Sequence, residues 1–146
     1  MEKELKKLID NIIGLEVPYC RAGGGAGSII SMKLSNEYVI WIECAWRIEK
    51  KGKVIATSAD DILPVTGLIA KSVKMLEGKV ITSVKLSPLY DLCINFTDDL
   101  CLNIFCIFSY SCEYENNWYL AIPEQDLCYE ITNNFQVKKG KYYSND

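Results

Sequence analysis

The chain has 146 residues, 49% hydrophobic and 24% charged, and its 16 Lys+Arg against 19 Asp+Glu give a net charge of −3. That is one domain's length, with enough apolar side chains for a core that needs neither disulfides nor metals, and without the basic excess of a broad nucleic-acid footprint. There is no histidine, which excludes Ser-His-Asp and Cys-His catalysis, His-ligated metals and a His proton shuttle.

The charged start, Met1 to Lys7, does not read as a signal peptide, and no window approaches the ~18–20 apolar residues of a membrane span. A cytoplasmic protein with neither membrane nor nucleic-acid partner is therefore expected. Leu5, Leu8, Ile9 and Ile12 form a helical stripe, with Gly14 placed to end it. A short strand should follow over Leu15–Tyr19. The glycine-rich run Arg21 to Ser28 lacks the Lys-Ser/Thr of a phosphate loop and leads into a β pattern, so it reads as a flexible hairpin connection.

Apolar alternation then runs through Ile30, Met32 and Leu34, and resumes from Tyr38 to Ile48. Lys51-Gly52 marks a turn before a strand over Lys53–Thr57. Asp60-Asp61 precedes a second helical stripe, Leu68, Ile69, Ser72, Val73 and Leu76, with Pro64 near its start and Gly78 just past its end. The acidic pair is expected to cap that helix, since neighbouring carboxylates usually point apart and make a poor acid–base pair. Lys79–Leu86 reads as a strand.

The next segment repeats the first. At a constant offset of 62, Ile30, Met32, Leu34, Tyr38, Ile40, Ile42, Cys44 and Trp46 fall on Leu92, Ile94, Phe96, Leu100, Leu102, Ile104, Cys106 and Phe108. Trp46-Arg47-Ile48 is matched later by Trp118-Tyr119-Leu120, after an insertion centred on Ser111–Asn117. In the hairpins, only three-residue connections, Ser35–Glu37 and Thr97–Asp99, keep the apolar residues on one face, because a one-residue slip would exchange the faces. The expected fold is α+β: a single domain, 1–146, of two pseudo-repeated helix-plus-antiparallel-meander units (about 5–57 and 67–132) sharing one sheet or a flattened barrel. Residues 138–146 are expected to be a frayed tail.

The seven cysteines, Cys20, Cys44, Cys93, Cys101, Cys106, Cys112 and Cys128, are odd in number and contain no Cys-x-x-Cys. They read as small buried hydrophobes in a reducing compartment, with Cys112 the best placed for exposure. No metal site, no cofactor and no catalytic residue is expected, so the chain reads as non-enzymatic. The insertion combines aromatic and acidic side chains and is absent from the first half. Glu113, Tyr114, Glu115 and Trp118, with Asp98 and Asp99 if that turn lies nearby, are the candidate partner-binding residues.

The pattern Leu92-x-Ile94-x-Phe96-Thr97-Asp98-x-x-Cys101-Leu102, followed by Trp118-x-Leu120, resembles small bacterial immunity proteins of polymorphic-toxin and contact-dependent-inhibition systems. The resemblance covers about half of the chain. It implies a cytosolic inhibitor that binds a toxin, and an acidic surface would complement a basic toxin domain. The alternative is a small-molecule-binding β-rich domain, with Tyr38, Trp41 and Phe105 as pocket walls.

Overall fold

A computed structural model describes residues 1–107 and 116–143. The chain is α+β. Two helices, α1 (Glu2–Asp10) and α2 (Leu68–Lys74), accompany eleven strands among the described residues. These are β1 (Tyr19–Arg21), β2 (Ile30–Lys33), β3 (Val39–Ile42), β4 (Ala45–Lys50), β5 (Lys53–Thr57), β6 (Ile81–Leu86), β7 (Leu92–Phe96), β8 (Leu100–Phe105), β9 (Asn116–Ile122), β10 (Leu127–Thr132) and β11 (Val137–Gly140).

The strands form two antiparallel sheets, not one sheet and not a closed barrel. The first has the order β1-β2-β3-β9-β10-β11 and the second β5-β4-β8-β7-β6. The separation comes from a change of sheet inside the long apolar segment that the sequence presented as continuous. β3 ends at Ile42 in the first sheet, and β4 starts at Ala45 in the second. β8 and β9 make the reverse change. Each sheet therefore combines three strands from one half of the chain with strands from the other.

Equivalent registers recur in the two sheets. Ile42 pairs with Trp118 and Ile40 with Leu120; Ile104 pairs with Trp46 and Leu102 with Ile48. Within the hairpins, Ile30 pairs with Ile42 as Leu92 does with Ile104. Around the isolated Glu16–Val80 bridge the backbone bonds come in matching pairs. Gly14 N–H donates to Ile81 O (2.7 Å) and Gly78 N–H to Val17 O (2.7 Å), while Val17 N–H donates to Lys79 O and Ile81 N–H to Leu15 O (both 2.9 Å). Gly14 and Gly78 both take positive φ, 91° and 78°, which favours glycine where each helix hands over to this bridge.

The inner faces of both sheets and the helix stripes join one core. Leu5, Ile9 and Ile12 meet Ile69, Val73 and Leu76, together with Ile40, Ile42, Ile48, Ile94, Leu102 and Ile104. Trp46 and Trp118 are both buried, and each spends its indole N–H on a backbone carbonyl, Ser28 O at 2.7 Å and Tyr90 O at 2.9 Å. A tryptophan can enter a core only when its donor finds a partner.

The expected hairpin connections are present: Leu34 N–H donates to Tyr38 O (2.8 Å), and Phe96 pairs with Leu100. Four local expectations need correction. Residues 15–18 lie outside β1 and 79–80 outside β6; each contributes to the single bridge, and the strands begin later. Asp60 and Asp61 do not cap α2, whose N-cap is Gly67 with no side-chain bond. They instead accept from Thr57 N–H (2.7 Å) and Leu63 N–H (2.9 Å), fixing the loop before the helix. Much of the expected frayed tail is held: β11 pairs with β10, Lys139 forms an ion pair with Glu4 at 3.3 Å, and Tyr143 N–H donates to Asp126 Oδ1 at 2.7 Å.

The glycine run is the fourth correction. It holds a short 3₁₀ turn, Gly24–Ala26, and packs closely against α2 and the chain ahead of it. A Cβ on Gly23 would lie 3.1 Å from the Ala70 Cβ, and one on Gly24 would lie 3.3 Å from the Pro64 Cβ. Gly24 N–H also donates to Ile62 O at 2.6 Å. Close approach and positive φ, rather than flexibility, explain these two glycines.

Candidate functional site: a groove beside α2

The docking of that loop creates a groove. α2 and the segment before it flank the β1 edge of the first sheet, and an open cleft of about 790 Å³ lies between them and outward-facing side chains of that sheet. Tyr19, Ser31 and Trp41 come from β1, β2 and β3; Ala22, Gly23 and Ala26 from the glycine run; Pro64, Val65, Lys71 and Met75 from the opposite wall. The volume lies within the usual range for ligand sites, and the lining is mostly apolar with few polar groups.

Each wall has a local cause. Trp41 faces outward because its neighbours Ile40 and Ile42 take the inner face in the alternation of β3. Its ring stacks on Tyr119 of β9 at 6.0 Å between centroids and 12° between planes, and its Nε1–H donates to Glu43 Oε1 at 3.0 Å. Burial pushes the Tyr119 phenol upward in pKa, so this side of the stack stays neutral. Arg21 lies 4.9 Å over the Tyr19 ring and is paired with Glu77 through both carboxylate oxygens, so its charge is already offset.

The opposite wall is unusually apolar for a surface. Pro64 and Val65 line the groove, and on the same loop Ile62, Leu63 and Val65 are 48%, 57% and 82% exposed, with Val65 at φ 64°. A β-branched residue in the left-handed region is a genuine outlier. The loop holds it there with Gly67 N–H donating to Leu63 O (3.0 Å) and Ile69 N–H to Asp61 O (3.2 Å). Gly67 is required, because a Cβ there would lie 2.5 Å from Leu63 O and 2.8 Å from Asp61 O. Lys71 and Lys74 stand one helical turn apart on the exposed side of α2 and make no ion pair among the described residues.

The residues expected from the sequence do not gather at this groove. Glu113, Tyr114 and Glu115 lie outside the described residues, as does Cys112. Trp118 is fully buried beside Ile42, so its side chain belongs to the core and not to a partner surface. Asp98 is exposed on the β7–β8 turn and bonded to Lys79 Nζ at 2.6 Å; that lysine holds its carboxyl below the usual aspartate range. Asp99 lines a separate polar depression of about 520 Å³ on the second sheet, with Glu49, Ser83, Asn95 and Cys101. Of the expected pocket walls only Trp41 lines the groove; Phe105 lies beneath the Arg47 guanidinium at 5.0 Å on the other sheet.

Sequence reasoning missed Val65, Lys71, Lys74 and Met75. The available signal is the run Ile62-Leu63-Pro64-Val65, apolar yet outside any periodic element, of which the sequence analysis uses only Pro64. The cysteines follow expectation in part: Cys20, Cys44 and Cys128 are buried, while Cys93, Cys101 and Cys106 are half-buried. Burial raises the Cys128 thiol to about 12. Among the described residues no cluster of three or more Cys, Asp or Glu side chains could hold a metal, and no helix is long and apolar enough to cross a membrane. Comparison with protein-family models, with curated proteins and with solved structures finds no match to this chain.

Proposed function

We propose that this chain is a non-enzymatic, immunity-type binding protein that holds a protein partner on the groove beside α2. The observation that carries the reading is an exposed apolar loop at the groove: Pro64 and Val65 line it together with Tyr19 and Trp41, and Ile62 and Leu63 of the same loop are exposed as well. Apolar surface of this kind, rimmed by polar groups, marks interaction sites, and aromatic side chains dominate binding energy where water is excluded. The immunity assignment itself rests on the sequence resemblance, and with it the cytoplasmic location and a toxin as partner. In the same reading the scaffold is a duplicated helix-plus-strand unit whose copies exchange strands. The paired registers and the paired bonds around Glu16–Val80 support that origin.

The test is co-expression with candidate toxin domains, followed by purification and binding kinetics of wild type and Val65→Asp. A stoichiometric complex whose dissociation is at least about tenfold faster in the variant supports the reading, since loss of apolar contact acts mainly on the off-rate. A complex unaffected by Val65→Asp moves the interface to another surface. The second reading, a small-molecule-binding domain, is favoured by the groove's volume and by Trp41 in its floor. A low-molecular-weight compound carried through purification by wild type and lost in Val65→Asp would establish it instead.

A further inference from the structure

We infer that the groove receives an acidic segment of the partner, anchored by a large apolar side chain. This rests on the reading of the groove as a protein-binding site and specifies the chemistry of the occupant. The groove lining contains three cationic side chains and no carboxylate. Arg21 is offset by Glu77, which leaves Lys71 and Lys74 as the uncompensated charges of the rim. They stand out on a chain whose net charge is −3. An acidic segment would meet these lysines along α2 while its apolar residue entered between Trp41 and Val65. That assignment is the reverse of the basic partner expected from an acidic insertion.

The walls are organised before binding. The Trp41–Tyr119 stack fixes the floor, and the bonds from Gly24, Leu63 and Gly67 fix the loop that presents Val65. A surface already held in its receptive shape avoids part of the ordering cost of association. Backbone strain at an exposed apolar residue is the kind of feature that folds retain at binding sites. The lysines should act on encounter and the apolar walls on residence, because screened rim charges mainly set on-rates while buried contacts set off-rates.

The experiment pans short, random displayed peptides against the intact wild-type chain and against Val65→Asp, then measures synthetic copies of the recovered sequences. Circular dichroism checks that each variant remains folded. Val65 is 82% exposed, and Asp accepts a left-handed backbone more readily than Val, so this variant should keep the fold. The expected result is peptides that pair Asp or Glu with Leu, Phe or Trp, bind wild type but not Val65→Asp, and lose at least about tenfold in affinity to the double variant Lys71→Glu/Lys74→Glu. Raising the salt concentration should weaken them in wild type and not in the double variant. Peptides that need Val65 but carry no acid, or that ignore the lysine substitutions, overturn the inference and leave the groove reading intact. Peptides indifferent to Val65, or no recovered peptides, overturn both. Binding of 1-anilinonaphthalene-8-sulfonate that depends on Val65 and both lysines, with no peptide recovered, transfers the site to a small amphipathic anion.

Discussion

On the outer face of the first sheet, Ser31, Trp41 and Tyr119 lie in one row across β2, β3 and β9. On the second sheet the corresponding row across β7, β8 and β4 is Cys93, Asn103 and Arg47. The backbone plan is the same and the chemistry is not. Asn103 and Arg47 both turn to the Glu49 carboxylate, the latter at 3.2 Å, and Asn95 donates to Ser83 Oγ at 2.9 Å. That face consumes its own donors and acceptors. The first face instead presents half-buried stacked rings, and Trp41 lines an open groove beside an apolar loop. The comparison teaches where to look for function in two sheets of matching register. Inner faces are tied to one shared core and outer faces are not, so the positions that match in register and differ in chemistry are the ones to test.

The largest expected effect tests the likeness. Trp46→Ala and Trp118→Ala each remove a buried ring and orphan a carbonyl, and each should cost about 3–5 kcal/mol by denaturant unfolding. If the two positions are equivalent, the losses should agree more closely than the ~2 kcal/mol by which one truncation varies among unrelated core sites. A much larger difference would break the comparison at its core.

The likeness was legible because it is written in apolar periodicity. Six paired positions, from Ile30/Leu92 to Ile42/Ile104, already gave the hairpin register, and the helix stripes ending at Gly14 and Gly78 were visible; the register matches Trp46 with Trp118 rather than with Phe108. The change of sheet after Ile42 was not, because both flanking strands are apolar in the same alternation and a break at Glu43-Cys44 leaves no turn residue as a sign. The groove was less legible still. Gly23 and Gly67 look like ordinary loop glycines until the atoms that crowd them, at Ala70 and Leu63, are known. The apolar run Ile62 to Val65 was visible, but the strain at Val65 was not, since backbone strain is imposed by its surroundings and not by its residue type.

The unlikeness is tested next, on the loop that only the first face carries. Gly67→Ala forces a Cβ against the Leu63 and Asp61 backbone and should cost about 1–3 kcal/mol in unfolding experiments. It should also displace Val65 and weaken any groove ligand. Gly25→Ala, with nothing within 4 Å of the added Cβ, should leave stability within about 0.5 kcal/mol of wild type. Equal effects at the two glycines would mean that the tight seat of the loop is not needed.

A smaller effect of opposite sign is expected at the tip. Val65→Asn relieves a β-branched side chain from φ 64° and should raise stability by about 1 kcal/mol in thermal or denaturant melts. It should at the same time weaken groove binding, separating strain retained for function from strain required by the fold. A destabilised variant would show that Val65 packs in a way that its exposure does not suggest.

The smallest effect lies in the two hairpin turns, which share a length and differ in electrostatics. In the first, Asn36 Oδ1 accepts from Tyr38 N–H at 3.1 Å, and Lys33 pairs with Glu37 at 2.8 Å. In the second, Lys79 sits on the Asp98 carboxylate and lowers its pKa. A carboxyl that ionises more readily in the folded state stabilises that state above the unfolded pKa, and the contribution fades as pH falls through the folded value. The Asp98 contribution is therefore complete at neutral pH and lost under acid conditions. Both groups are solvent-facing, so the loss should be slight and should shrink further with salt. Side-chain NMR titration should find the Asp98 midpoint below the ordinary aspartate value, and Lys79→Gln should return it upward. An Asp98 midpoint unchanged by Lys79→Gln would mean that the ion pair is not formed in solution, and the two turns would then differ in sequence without differing in electrostatics.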